Sequence, residues 1–166
     1  VDLLEDAFVQ AARASTEERV GYIVSVVANG VSPEELDHAQ TKHMLWLLGQ
    51  LNEIEVILLR SRLVMTNEDY KADSEFQTRH AEVLEPRSPH MGSQPEEFEE
   101  AALFASYKQH LVDLGLLRPR FKQPRRGELP EFDDKTGMMK ASGHEVTTLG
   151  RMLLRHLDLI PAWYRR

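Results

Sequence analysis

The sequence predicts a mainly α fold carrying a small β-hairpin near its C-terminal end. Apolar residues recur at helical spacing through the first 65 positions, and a long helical stretch follows from Pro95 to Leu114. Two short strand-like segments then flank a polar loop ahead of a last amphipathic run. At 166 residues the chain fits one domain, or two small ones sharing a core, and a chain of this size buries roughly 70% of its unfolded surface.

Each element has its own signal. Leu4, Phe8 and Ala11 or Ala12 predict a short first helix. Ser15, with Glu18 three residues on, is a capping-box pattern for a second. In it Val20, Ile23, Val24 and Val27 form an apolar stripe, and Gly30 is a natural stop. Its β-branched residues would also suit a strand, but cap and period favour helix. Ser32 as cap, Pro33 at the first helical position, and Glu34 and Glu35 in the first turn open a third helix. Leu36, Met44, Leu45, Leu47, Leu48 and Leu51 make its later half strongly apolar. Gly49 marks a bend, and Asn52 with Glu55 starts a fourth helix.

The signals weaken between Thr66 and Gln94, where "EPRSPHMGSQP" reads as a loop. Some helix is expected between Tyr70 and Leu84. Phe98, Ala102, Ala105, Leu111 and Leu114 support the long helix, and Gly115 terminates it. Arg118–Lys122 forms an edge-strand candidate because of Pro119, and Met139–Val146 forms its partner. Thr147 can cap a final helix from Thr148 to about Leu159, with Leu149, Leu153, Leu154 and Leu157 on its buried face. Gly150 there permits a close approach to another backbone. The organisation read from this is an N-terminal helical region over 1–65, a connecting segment over 66–96 and a helix-plus-hairpin region over 97–166.

Composition excludes several classes. With no cysteine there is no disulfide framework, thiol catalysis or cysteine-ligated zinc. No apolar run approaches the roughly 18 to 20 residues needed to span a bilayer. The N-terminus also lacks the basic and apolar zones of a signal peptide, so a cytoplasmic location is expected. A start at Val1 is compatible with a longer parent chain. The net charge of −7 is uneven: residues 1–103 hold 8 Lys and Arg against 20 Asp and Glu, whereas residues 104–166 hold 12 against 7. An acidic first part joined to a basic last part suits a nucleic-acid-facing module on a non-binding body, or two halves that attract each other.

The pair "HLVDLGLLRPRF" and "HEVTTLGRMLL" resembles the end of winged-helix domains. In that family a helix ends at a Leu-Gly-Leu turn, a hairpin forms the wing, and a Val/Leu-Thr-x-x-Gly joint leads to the last helix. Leu114, Gly115, Leu116, Val146, Thr147 and Gly150 match, over about 60 residues from Phe98 to Leu159. The resemblance implies an N-terminal helical bundle followed by a winged-helix-like region. With "LLGQLNEIEVILL" upstream, the chain is also similar to bacterial proteins of the abortive infection alpha type. That similarity implies a cytosolic bacterial protein linked to phage or mobile-element defence, and no known reaction.

Where a winged helix reads DNA, the helix before the first wing strand enters the major groove. Here it offers Tyr107, Lys108, Gln109 and His110, with Lys108 its one strong cation. The wing is denser in charge: Arg118, Arg120, Lys122, Arg125 and Arg126 are candidates for nucleic-acid backbone or acidic partner contact. Set against that, the same charges would serve simply to keep a hairpin soluble. Trp163 and Tyr164, beside Arg165 and Arg166, are of types enriched at interface hot spots, or belong to a tail folded over the core. The "MLWLLGQL" run reads as core, with Trp46 as a conceivable groove marker.

Catalytic patterns are weak. Glu35 and His38 have the Glu-x-x-His spacing of di-iron bundles but no second copy. His38 and His43 stand roughly 140° apart around a helix. His144 and Glu145 would point to opposite faces of a strand, and His80, His90, His110 and His156 select no ligand set. No Gly-x-Ser-x-Gly elbow or phosphate-binding glycine loop is present. The expectation is therefore a non-enzymatic protein without metal or cofactor, acting through a protein partner, self-association or nucleic-acid contact at the wing.

Overall fold

The computed structural model describes residues 2–30, 35–63, 70–84, 89–122, 124, 129–132 and 137–160, with only the backbone described for 2, 35–37 and 70–72. The expected helix start at Ser32, Pro33 and Glu34 lies outside these residues. So do the candidate binding residues Arg125, Arg126, Trp163 and Tyr164.

Eight helices and two strands are described: α1 (Asp2–Ala12), α2 (Glu17–Gly30), α3 (Glu35–Gln50), α4 (Glu53–Ser61), α5 (Tyr70–Arg79), α6 (Ala81–Leu84), α7 (Pro95–Asp113), β1 (Leu117–Phe121), β2 (Ala141–Val146) and α8 (Thr148–His156). The chain is mainly helical, with one antiparallel hairpin and a helix after it, as the sequence predicts. The 70–84 stretch divides into two helices at His80, and Phe132 and Met139 form an isolated bridge ahead of β2.

The helix ends follow local chemistry. Asn52 and Glu55 form the expected reciprocal capping box at α4. At α2 the cap is Thr16, whose hydroxyl accepts from Arg19 N at 3.2 Å, so the start lies one residue beyond the Ser15 expected. Gly115 ends α7 in the left-handed conformation (φ 72°). Leu116 N donates to Leu111 O and Gly115 N to Val112 O, both at 2.9 Å, which satisfies two carbonyls the helix end leaves open. Asp158 plays the same part after α8 with φ 56°, and Leu159 N donates to Leu154 O at 2.9 Å. Asn29 Nδ2 braces this turn from α2, donating to His156 O and Asp158 Oδ1 at 3.1 Å each.

One buried cluster joins Leu3 and Ala7 of α1, Ile23 and Val26 of α2, Met44 to Leu48 of α3 without Trp46, and Leu58 and Leu59 of α4. It continues through Leu111, Leu116, Leu117, Val146, Leu153 and Leu154. Each fully buried leucine contributes about 1.5–3 kcal/mol of apolar transfer energy. Helix α8 packs on α2 and α3, so the last described helix shares the core of the first ones.

Several expected faces are displaced. In α1 the buried residues are Leu3 and Ala7, one position before the expected Leu4 and Phe8, which are exposed. In α2, Ile23 and Val26 are buried whereas Val20 and Val24 face out. Helix α3 runs past Gly49 to Gln50 without a break there. Helix α7 buries only Leu111 fully, while Phe98, Ala102 and Ala105 are exposed.

Candidate functional site

Thr147 joins the hairpin to the core. Its backbone N donates to Leu116 O at 3.0 Å and its hydroxyl to Gly115 O at 2.7 Å, while the same oxygen accepts from Gly150 N at 3.0 Å. Turn, strand end and helix cap thus share one side chain. Gly150 is buried where a methyl group would overlap the Leu116 carbonyl oxygen and approach Val146 Cγ1 at 2.8 Å. The hairpin therefore leaves the core at a fixed place.

Register sorts the hairpin's charges by face. Leu117 pairs with Val146 and Pro119 with His144, whereas Arg118 pairs with Glu145 and Arg120 with Gly143. Directly opposed residues share a face and neighbours alternate. Leu117 and Val146 are buried, so Pro119 and His144 lie on the inner face and Arg118, Arg120 and Glu145 on the outer one. His144 and Glu145 thus point apart.

Arg118 Nε meets Glu145 Oε1 at 2.6 Å, so the outer face neutralises one of its own cations. Arg120 and Lys122 are exposed, and Gly143 leaves the Arg120 guanidinium room across the strand pair. Lys108 does not join this group.

Lys108 lies on α7 with its ammonium 4.8 Å from the centre of the Phe104 ring. It is within Coulombic reach of Arg62, at the C-terminal cap of α4, and of His144. Burial lowers the Lys108 pKa from its ordinary value, and Arg62 adds to the effect. Burial likewise lowers that of His144, helped by Lys108 and then Arg62. All three are half-buried, and no carboxylate offsets either shift. Arg62 and His144 were not candidates in the sequence, where they stand far from Lys108 and from each other.

Two other polar residues of the later part of α7 are engaged. His110 Nδ1 lies 2.6 Å from Glu55 Oε1 and Gln109 Nε2 donates to Asp113 Oδ1 at 2.7 Å. They do not form a free row for reading bases.

A second candidate surface lies at the other end of the chain. Leu4, Ala7, Phe8 and Ala11 of α1 face Ile23, Val24, Val27 and Ala28 of α2 across an apolar groove of about 250 Å³. Phe8 is 73% and Val24 59% exposed. The sequence carried a signal for it: Leu3 with Ala7 and Leu4 with Phe8 make α1 apolar over a wider arc than one neighbouring helix covers. Trp46, on α3, stacks with His43 at 5.7 Å and is half exposed, outside the core.

A polar cavity of about 330 Å³ lies among α1, α2 and the α3–α4 turn, lined by Gln10, Arg13, Arg19 and Asn52 among others. Arg19 Nη2 donates to Leu48 O, and burial lowers its pKa, with Glu53 opposing the shift. Gln10 Oε1 and Arg19 Nη1 are buried without a partner. Arg60 is buried beside Asp73 at 3.4 Å with its guanidinium over Phe76, a structural pair holding α5 to α4. Among the described residues no three His, Asp or Glu side chains gather as a metal site requires, and no helix is long and apolar enough to cross a membrane.

Comparison with protein-family models, with curated proteins and with solved structures returns no match for this chain.

Proposed function

We propose that this chain is a non-enzymatic interaction protein that works through protein contact at its α1–α2 face, beginning with self-association. The observation that carries this is the apolar groove with exposed Phe8 and Val24 on its walls. Exposed apolar patches rimmed by polar residues mark contact sites, and a groove between two helices accepts the apolar face of a third. The sequence supports the non-enzymatic part, since it carries no nucleophile elbow or phosphate-binding loop. A bacterial cytosolic setting in phage or mobile-element defence is proposed on the abortive-infection resemblance alone.

Light scattering across a concentration series tests this. A concentration-dependent dimer that is lost in Phe8→Ser and Val24→Ser, with unchanged helix content, is expected. A chain that stays monomeric throughout would remove self-association.

A second reading, DNA contact through a winged-helix-like hairpin, is favoured by exposed Arg120 and Lys122 on one strand end. The Arg118–Glu145 pair weighs against it. A low-salt shift assay with random duplex should then show Arg125→Ala with Arg126→Ala weakening binding and flattening its salt dependence. Unchanged affinity would remove the hairpin.

A further inference from the structure

We propose that the polar cavity among α1, α2 and the α3–α4 turn binds a free α-amino acid, its carboxylate on Arg19 and Arg13 and its ammonium group on Gln10 and Glu53. The site is built on the last turns of α3. Gln10 of α1 donates through Nε2 to Leu45 O at 3.1 Å, and Arg19 of α2 donates through Nη2 to Leu48 O. Carbonyls so spaced lie about one turn, roughly 5 Å, apart on the same helix face. The amide and the guanidinium are therefore held side by side, each by one of its polar atoms.

Their other polar atoms find nothing to bond inside the protein. Gln10 Oε1, an acceptor, and Arg19 Nη1, a donor, are both buried without a hydrogen-bond partner, whereas buried polar groups are ordinarily satisfied. Among the described residues no other buried side-chain nitrogen or oxygen lacks a partner, and both of these belong to residues lining one cavity of about 330 Å³. A single water takes up only about 30 Å³, and small-molecule sites begin at roughly 300 Å³. Gly49 lines the same cavity. It stands within α3, where glycine weakens a helix, and an added Cβ there would crowd the Gln10 amide nitrogen at 3.2 Å. The glycine leaves the amide its place.

An acceptor beside a donor calls for a ligand that offers a donor beside an acceptor. Charge narrows the class. Arg13 adds a second cation to the lining and Glu53 an anion, the latter held by the Thr16 hydroxyl at 3.0 Å. A plain anion would meet Glu53, and a plain amine would meet two arginines. A zwitterion suits both, its carboxylate accepting a charge-assisted bond from Arg19 Nη1 and its ammonium donating to Gln10 Oε1. The two protein atoms are screened from bulk water, but the last torsion of a glutamine is soft, so a ligand seated against Gly49 meets the amide by a small turn of its plane. Ala14 and Leu51 line the remainder and give the amino acid's own side chain an apolar wall. No lining residue is shared with the apolar groove between α1 and α2, so this site is independent of self-association there.

Calorimetric titration of the full chain with each common L-amino acid in turn tests the site. Saturable binding of at least one is expected. Its N-acetyl and carboxamide forms, each lacking one of the two charges, should bind about tenfold or more weakly through loss of a charge-assisted bond. These analogues leave the chain unaltered, so the comparison does not depend on a variant folding. Gln10→Leu, which removes the acceptor, should weaken binding by about tenfold as well. Lack of saturable binding by every amino acid, either blocked form binding as tightly as its parent, or unchanged binding in a folded Gln10→Leu variant would overturn the proposal.

Discussion

Glu55 holds two helices with one carboxylate: Oε2 accepts from the Asn52 backbone at 2.9 Å, closing the α4 cap, and Oε1 lies 2.6 Å from His110 Nδ1 on α7. The residue is only 2% exposed. A buried acid is thereby satisfied at both oxygens, and each bond depends on the other's geometry.

Removing that side chain should cost more than a surface cap does. Glu55→Ala loses a cap interaction and a charge-assisted bond, together about 2–4 kcal/mol. Glu55→Gln, which can still serve the cap, should lose less. Urea unfolding of Glu55→Ala, His110→Ala and the double variant measures the coupling between the pair. Additive losses would show that the pair contributes nothing as a pair.

Gly150 lies inside a helix, where alanine ordinarily stabilises by roughly 0.5–1 kcal/mol. Here Gly150→Ala should destabilise instead, by about 1–3 kcal/mol as overpacking does, because the methyl group meets the Leu116 carbonyl oxygen. Thr147→Ser, which keeps the hydroxyl, should unfold near the native temperature. Thr147→Val should not. A rise in the thermal midpoint of Gly150→Ala would contradict the close approach.

The lowered pKa of His144 makes a prediction for stability against pH. Its proton is bound more weakly in the folded chain than in the unfolded one, whose reference value is 6.5. Stability from this group is therefore complete above that value and is lost as the pH falls through it towards the lower folded-state value. His144→Gln should flatten the acid side of the stability curve, measured by urea titration at several pH values. An unchanged slope would mean that neither burial nor Lys108 and Arg62 disfavours the imidazole's proton in the folded chain.

The sequence was most legible where chemistry is local. Asn52 with Glu55, Gly115 after Leu114, and Thr147 before Gly150 all act within about four residues, so their spacing alone identifies their roles. Thr16 displaced Ser15 as a cap, one residue on in register, and its hydroxyl also donates to Glu53 of α4 at 3.0 Å, a tertiary contact that the sequence does not show. The faces of α1 were harder. Leu3 with Ala7 and Leu4 with Phe8 both have i, i+4 spacing, and which pair is buried depends on where α2 and α3 lie. Arg62, Lys108 and His144 could not be associated at all, since three separate elements bring them together. The hairpin's basic residues were visible as a cluster in sequence, but the Glu145 that shares the outer face with Arg118 and Arg120 and pairs with Arg118 was not, since only the strand register brings it there.

The brace from Asn29 to His156 and Asp158 carries a consequence for how the molecule is made. It joins positions 127 and 129 residues apart, and α8 covers part of the α2–α3 surface. During synthesis the first three helices emerge long before their cover does. Ile23, Val26 and the leucines of α3 must wait, partly uncovered, while some hundred further residues leave the ribosome. Non-local closure of this kind slows folding, and transiently open apolar surface invites association. Capture of nascent chains truncated before Thr148, compared with chains extended past Ile160, should show chaperone dependence ending when the last helix arrives.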